Sequence, residues 1–142
     1  MECIFCKIVA GEIPCVKIYE DDDVLAFWDV FPLTRGHALV IPKKHFADIF
    51  DIDEVVLGKV SVVAKKISGK LKKSLGADGI RLSQSNGKHA GQAVFHFHLH
   101  IIPRYENDGL GLNGMADTAD PHPPQANFEE LKKLAEKLRK YE

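Results

Sequence analysis

The chain has 142 residues, 45% of them hydrophobic, which suits one compact domain with a single core. Its 19 Lys and Arg residues balance 20 Asp and Glu residues, so the net charge favours neither nucleic acid nor a membrane surface as a partner. No apolar run approaches the ~18 residues of a membrane span, and no secretory signal pattern opens the chain. We therefore expect a soluble, cytoplasmic protein.

Three cysteines lie near the N-terminus, and their number is odd and too small for a disulfide framework, which is typical of a reducing compartment. Cys3 and Cys6 have the spacing of half a tetrahedral zinc site, which needs two more nitrogen or sulfur ligands. The alternative is a pair of unliganded thiols. Cys15 has no partner in the pattern and is predicted to be a small core side chain.

Two strands joined by a turn are predicted next. Residues 15–20 and 24–30 are rich in β-branched and aromatic side chains, and Asp21, Asp22 and Asp23 separate them. Three consecutive carboxylates could suggest a metal site, but their position between two strands favours a hairpin turn. A third strand is predicted over 36–42, where Pro42 ends it.

A long amphipathic helix is predicted over about 53–75. Its apolar residues recur every three or four positions, at Val56, Val60, Val63, Ile67, Leu71 and Leu75. Gly76 follows as a C-cap. The lysines between the apolar positions could suggest RNA binding, but a solvated outer face is the simpler interpretation.

The second half of the chain adds two strands and a helix. Strands are predicted over 79–85 and 94–102, with a glycine-rich loop at 86–92 between them. An irregular segment covers about 105–126, and Asn127 with Glu130 begins a last helix, about 128–141, with a capping-box pattern. The order predicts an α+β domain: a five-stranded antiparallel sheet, one long central helix and a C-terminal helix.

The fifth strand, "VFHFHLHII", carries histidines at alternate positions, His96, His98 and His100. In a regular strand the three imidazoles share one face at intervals of about 7 Å, and the apolar residues share the other. An exposed face that merely happens to be histidine is one alternative, and a zinc site is another. His96 and His100 would lie about 13 Å apart, so one ion could hold at most two neighbours. At least one histidine therefore has another role.

Phosphoryl or nucleotidyl transfer is the chemistry that this strand suggests. A neutral imidazole is a nucleophile, and neighbouring imidazoles can donate hydrogen bonds to phosphate oxygens. The glycine-rich loop before the strand offers backbone N–H groups to the same oxygens.

"HFHLHII" resembles the signature of the histidine-triad (HIT) family, His-x-His-x-His followed by two apolar residues. The blocks "NGKHAGQAVFHFHLHIIPR", "LAFWDVFPLTRGHALVIPKKH" and "CIFCKIVAGEIP" resemble its nucleotide-binding, Hint-like branch, in the same order, over about residues 3–104. The resemblance implies a single domain over 1–142 with the triad motif at 96–102. It further implies a homodimer that binds a purine nucleotide and splits the α-phosphate from an amine, acyl or polyphosphate leaving group.

The resemblance also implies roles for individual residues. His98 matches the nucleophile that forms a transient nucleotidyl-histidine, and His100 and His37 match the histidines that surround the phosphate. Asp29 matches a carboxylate that accepts hydrogen bonds from the ribose. The remaining predicted nucleotide-site positions are Phe27, Asn86, Gln92 and Ala93.

A zinc site follows from the same resemblance. In similar family members, two cysteines join a histidine after the "PKK" loop and the first histidine of the triad, which here are Cys3, Cys6, His45 and His96. Such a zinc is structural and closed, and no catalytic metal is expected. Each histidine of the triad thus has its own role: metal ligand, nucleophile and phosphate contact.

We therefore predict a histidine-triad hydrolase or transferase acting on nucleoside phosphoramidates, adenylylated compounds or dinucleoside polyphosphates. Two alternatives stay open: a nucleotide-binding or scaffold module with incidental hydrolysis, and a zinc-dependent hydrolase with its metal on the triad. One departure from close relatives is Ala93, where they carry a serine or threonine that could hydrogen-bond a departing amine.

Overall fold

The computed structural model describes residues 2–112 and 123–141. In chain order the elements are α1 (Ile4–Val9), β1 (Lys17–Glu20), β2 (Val24–Trp28), β3 (Ala38–Pro42), α2 (Glu54–Leu75), β4 (Gly79–Ser83), a short 3-10 turn (Lys88–Ala90), β5 (Leu99–Arg104) and α3 (Phe128–Arg139). The predicted α+β class with one five-stranded sheet and two main helices is confirmed.

The sheet is antiparallel throughout, with strand order β1-β2-β3-β5-β4. Helix α2 begins where Asp53 accepts a hydrogen bond from the backbone N–H of Val56, and it ends at Gly76, which has the left-handed conformation (φ +67°). Asn127 caps α3 in the same manner by accepting from Glu129 and Glu130. These ends agree with the predicted ones.

The main core lies on one face of the sheet, where α2 and α3 pack against the strands. A smaller cluster covers the other face, where α1 brings Phe5 and Ile8 against Leu25, Phe27 and Leu39. Because both faces are covered, every residue of β2 and β3 is buried. Within the described ranges, no helix combines the length and apolar character needed to cross a bilayer.

The fifth strand differs from the prediction because its regular pairing begins only at Leu99. Upstream of that point, the Phe97 N–H donates to the carbonyl of Phe46 (2.7 Å), a contact outside the strand ladder. Phe97, Leu99 and Ile101 do pack in the main core, as the alternation predicts, whereas Phe95 is 49% exposed. The histidines before and after this irregularity therefore face different surroundings.

The predicted irregular segment of about 105–126 is described only in part, since 113–122 lie outside the described residues. At its start, Arg104 forms an ion pair with Asp108 (2.7 Å) and donates to the carbonyls of Leu110 and Gly111. These contacts hold the first part of the segment at the end of β5.

Candidate active site and metal centre

His100, His37 and Asp29 meet at one end of the sheet. His100 lies opposite Leu39 across β5 and β3, and Leu39 lies opposite Phe27 across β3 and β2. The side chains of His100, Leu39 and Phe27 therefore share one sheet face. Asp29 follows β2 and His37 precedes β3. The Asp29 N–H donates to the His37 carbonyl (2.9 Å), which holds these two residues side by side.

A hydrogen-bond chain assigns the protons of His37 and His100. The backbone N–H of Leu33 donates to His37 Nδ1 (3.1 Å), so the ring proton of neutral His37 is on Nε2. That Nε2–H lies 2.9 Å from His100 Nδ1, which must accept it, and 3.5 Å from a carboxylate oxygen of Asp29. The proton of neutral His100 is therefore on its Nε2.

Burial keeps both of these imidazoles neutral. It lowers the pKa of His37 and of His100 from 6.5 to about 4, because a buried cation loses its hydration. Burial also raises the pKa of Asp29, although the Phe31 N–H that donates to its carboxylate opposes the shift. At neutral pH the pair therefore offers N–H donors rather than positive charge.

In His98 the ring proton lies on Nδ1, whereas in His37 and His100 it lies on Nε2. The His98 Nδ1 lies 2.7 Å from the carbonyl of His96, and because a carbonyl only accepts, Nδ1 carries the proton. The lone pair of His98 is then on Nε2. The His98 ring lies with its centroid 5.1 Å from that of His100 and 5.1 Å from that of Phe5.

His98 and His100 line a cavity of about 400 Å³. Its walls are mainly apolar and come from α1 and the sheet, and its polar lining includes Asp29. Phe27 and Ala93 also line it. A cavity of this size with apolar walls and a few polar groups at one end can hold a ring and direct an attached anion toward the histidines.

Two other predicted residues lie deeper in the loops. Gln92 is 4% exposed; it accepts from the Gly87 N–H (2.7 Å) and donates to the carbonyls of Ala47 and Val94. Asn86 accepts from the Ile49 N–H (2.7 Å). Both amides brace the loop that leads to Ala93, and contact of either with a ligand stays a prediction.

The four predicted zinc ligands form a second cluster, with their ligand atoms all within 4.8 Å of one another. His96 Nδ1 lies 3.4 Å from Cys3 Sγ and 3.6 Å from Cys6 Sγ, and His45 Nδ1 lies 3.4 Å from Cys6 Sγ. Neighbouring sulfur and nitrogen ligands of tetrahedral zinc lie about 3.6 Å apart. The cluster therefore fits a zinc ion.

The orientation of His96 supports this fit. Its Nε2 lies 2.8 Å from the carbonyl of Pro42, so Nε2 carries the proton and Nδ1 turns its lone pair toward the sulfurs. Such an outward hydrogen bond is the usual way in which a protein fixes a ligating histidine. His96 is fully buried, which separates it from the cavity that His98 and His100 line.

Sequence analysis missed helix α1 and the role of Phe5. The Phe5 ring contacts Phe27 and His96, with centroids 5.8 Å apart in both cases, as well as His98. Phe5 thus contacts the cluster of Cys3, Cys6, His45 and His96 (the metal cluster), the wall of the cavity, and His98, whose lone pair is on Nε2. The apolar spacing of Ile4, Phe5 and Ile8 was the available signal, but a helix of six residues is too short for periodicity to be decisive.

Comparison with known proteins matches residues 10–107 to the HIT domain. An uncharacterized HIT-like protein of Borreliella burgdorferi is 50% identical over 113 residues, 78% of this chain and 81% of that protein. Adenylylsulfatase HINT3 of Arabidopsis thaliana is 44% identical over 109 residues, 77% of this chain and 55% of the longer plant protein.

The fold of this chain superposes on solved structures over almost its whole length. A Hit-like protein from Bartonella henselae superposes with a TM-score of 0.87 at 40% identity, covering 99% of this chain and 96% of that one. A zinc-bound histidine triad family protein from Mycobacterium smegmatis gives 0.81 at 35% identity, covering 99% and 93%.

Proposed function

Because the chain belongs to the histidine-triad (HIT domain) family, we propose that it binds a purine nucleotide and cleaves it at the α-phosphate through a nucleotidyl-histidine intermediate. The observation that carries this proposal is the proton assignment at His98, whose free Nε2 belongs to a ring that lines the cavity. The related adenylylsulfatase supports a substrate in which the adenylyl group is the part transferred.

In the first step His98 Nε2 attacks the α-phosphorus, and the bond from phosphorus to the leaving group breaks with its electron pair on that group. The leaving group takes a proton from solvent. The imidazole becomes a cation that keeps its Nδ1–H on the His96 carbonyl, so this carbonyl stabilises the developing charge. In the second step water displaces the imidazole and releases the nucleoside monophosphate and one proton.

His100 is placed to bind a phosphate oxygen through its Nε2–H while His37 holds its other nitrogen. Both rings are neutral, so they stabilise the transition state as oriented donors. Asp29 accepts from the ribose hydroxyls at the end of the cavity. The apolar walls receive the base.

Trapping tests this mechanism directly. Brief exposure to radiolabelled adenosine 5′-phosphoramidate, followed by a denaturing quench at alkaline pH, should leave adenylate on the peptide that contains His98. His98→Asn should abolish the label, and His89→Asn, which changes an exposed histidine of the preceding loop, should retain it. Tight AMP binding with no label and no turnover would instead indicate a binding module.

Cys3, Cys6, His45 and His96 would hold one structural zinc ion with no open coordination position. Bound there, the ion would contribute folding free energy and fasten α1 to the sheet. The reaction above requires no step at this ion, and the protein groups that touch the phosphate belong to the other cluster.

A zinc-dependent hydrolase is the second candidate, because Asp29, His37 and His100 also place three ligand atoms within 4.8 Å of one another. It predicts that a Cys6→Ser variant with an emptied structural site still needs added zinc for turnover. The nucleotidyl-histidine mechanism predicts no such requirement in that variant.

A homodimer forms part of the proposal. Strand β4 is at an edge of the described sheet, and its Leu82 is 52% exposed, so a second copy could cover it. Light scattering should give about twice the mass of the 15.8 kDa chain. Leu82→Asp should shift that mass toward the monomer.

A further inference from the structure

A second cavity of about 470 Å³ lies between α3 and the loop that runs from Asp29 to His37. Trp28, Leu131 and Leu134 form its apolar floor. The floor is rigid, since all three side chains are buried and the Trp28 indole N–H donates to the Leu131 carbonyl (3.0 Å). The cavity is therefore a built feature rather than a gap between loose side chains.

The loop side of this cavity is also held in place. The Ala126 N–H donates to the carbonyl of Val30 (2.7 Å), which joins the segment before α3 to the loop. Farther along the same loop, the Tyr105 hydroxyl donates to the carbonyl of Arg35 (2.7 Å). The Arg35 backbone is thus fixed while its side chain lines the cavity.

Three cations line this cavity: Arg35 from the loop, and Lys133 and Lys137 from one face of α3. None of them forms an ion pair within residues 2–112 and 123–141. The acidic residues of the lining are Glu130 and Asp29, so three cations and two carboxylates give the cavity lining a net charge of +1. Asp29 is already engaged by the Phe31 N–H and lies beside His37.

Asp29 lines this cavity as well as the nucleotide cavity, so the two spaces meet at this residue. Under the proposed function, Asp29 is the residue that meets the ribose hydroxyls. A group attached to one of those hydroxyls would then lie next to the three cations. A phosphate there would carry about 1.5 to 2 negative charges at neutral pH.

We propose that the second cavity is a subsite for a phosphate on the ribose 2′- or 3′-hydroxyl, and that the protein accepts ribose-phosphorylated nucleotides as a substrate class. Arg35, Lys133 and Lys137 bind this phosphate, while the base and the α-phosphate occupy the nucleotide cavity. This inference rests on the proposed function, because it places the ribose at Asp29.

Calorimetric titration at fixed ionic strength tests the subsite with four ligands: AMP, ADP, adenosine 3′,5′-bisphosphate and adenosine 2′,5′-bisphosphate. At least one bisphosphate should bind about tenfold more tightly than AMP, the size of one net charge-assisted hydrogen bond. ADP serves as the control for charge, since its second phosphate extends from the 5′ side.

The double variant Lys133→Ala, Lys137→Ala should reduce the affinity for that bisphosphate to the level of AMP and leave the affinity for AMP itself unchanged. Lys132→Ala is the matched protein control, because Lys132 is exposed on α3, pairs with Glu129 and does not line the cavity. It should change neither affinity.

Two results overturn the inference while the proposed function stands: AMP binds but neither bisphosphate binds more tightly, or the advantage survives in the double variant. If none of the four ligands binds, the proposed function fails and the subsite fails with it.

Discussion

The metal cluster (Cys3, Cys6, His45 and His96) and the proposed catalytic cluster (His37, His98 and His100) use the same side chain, histidine, in opposite ways. At the metal cluster, His96 gives its N–H to the Pro42 carbonyl and turns its lone pair inward to two sulfurs. At the catalytic cluster, His98 gives its N–H to the His96 carbonyl, and its lone pair on Nε2 meets no hydrogen-bond donor among the described residues. The backbone carbonyl that each N–H meets thus decides which nitrogen is free and what it can do.

The two clusters also differ in how their charges are balanced. Thiolates of the metal cluster would be balanced by a cation, whereas the His37–His100 pair is neutral and is joined by one hydrogen bond from His37 to His100. Removing a ligand of the metal cluster should therefore lower the free energy of unfolding. Removing an imidazole nitrogen of the catalytic cluster should instead lower kcat.

The largest expected effect is at the catalytic cluster. His98→Asn should lower kcat by about 10³-fold or more, because the nucleophile is lost. The affinity for AMP and the zinc content should remain close to those of the wild type, since neither depends on His98 Nε2. Steady-state kinetics, calorimetry and metal analysis measure the three quantities. A retained kcat would exclude the covalent mechanism.

At the metal cluster we expect a large loss of stability and a small change in kcat. Purified protein should contain about one zinc per chain, and Cys6→Ser should lower the free energy of unfolding by about 3 kcal/mol, because a closed zinc site contributes to folding. The kcat of the folded fraction should fall by less than about tenfold. Cys15→Ser is the control, since Cys15 lies outside the cluster. An unchanged melting temperature after zinc removal would contradict this assignment.

The neutral pair should also make stability depend on pH. Its folded-state pKa of about 4 lies below the unfolded value of 6.5, so between these limits the unfolded chain binds more protons and stability falls as pH falls. Each imidazole can contribute at most about 3 kcal/mol to this loss. Histidine NMR titration of the zinc-loaded protein should give midpoints near 4 for His37 and His100. Midpoints near 6.5 would show that the pair is hydrated.

The smallest effect is expected at Ala93. This residue precedes β5, is exposed and lines the nucleotide cavity, so a side chain there can reach a leaving group. One hydrogen bond formed only in the transition state is worth about 0.5 to 1.5 kcal/mol, or roughly two- to twelvefold in rate. Ala93→Ser should raise kcat/KM on a phosphoramidate by a few fold and change an acyl phosphate much less. Equal changes on both substrates would identify Ala93 as a packing residue.

Much of the fold could be predicted because its signals are local. The ends of α2 follow from Asp53 and Gly76, whose capping contacts involve residues within four positions along the chain. The start of β5 could not be predicted, because it depends on contacts of Phe97 and His96 with residues about 50 positions earlier. Alternation of residue types carries no information about those partners.

The candidate site divides in the same way. Residue types and spacing identified the histidines and cysteines, and the family resemblance grouped them. The proton assignments depend on the N–H of Leu33 and the carbonyls of Pro42 and His96, which have no signature in the sequence because nearly every residue carries the same two backbone groups. Only the folded chain determines which carbonyl or N–H is near each ring.

Trp28 has a consequence for measurement. It is the single tryptophan of the chain, it is 1% exposed, and it lies in the lining of both the nucleotide cavity and the second cavity. The indole packs in the main core and donates to the Leu131 carbonyl of α3, so all tryptophan fluorescence originates beside the second cavity. The protein therefore carries an intrinsic optical reporter there, and stopped-flow emission could follow the filling of the second cavity without an added dye.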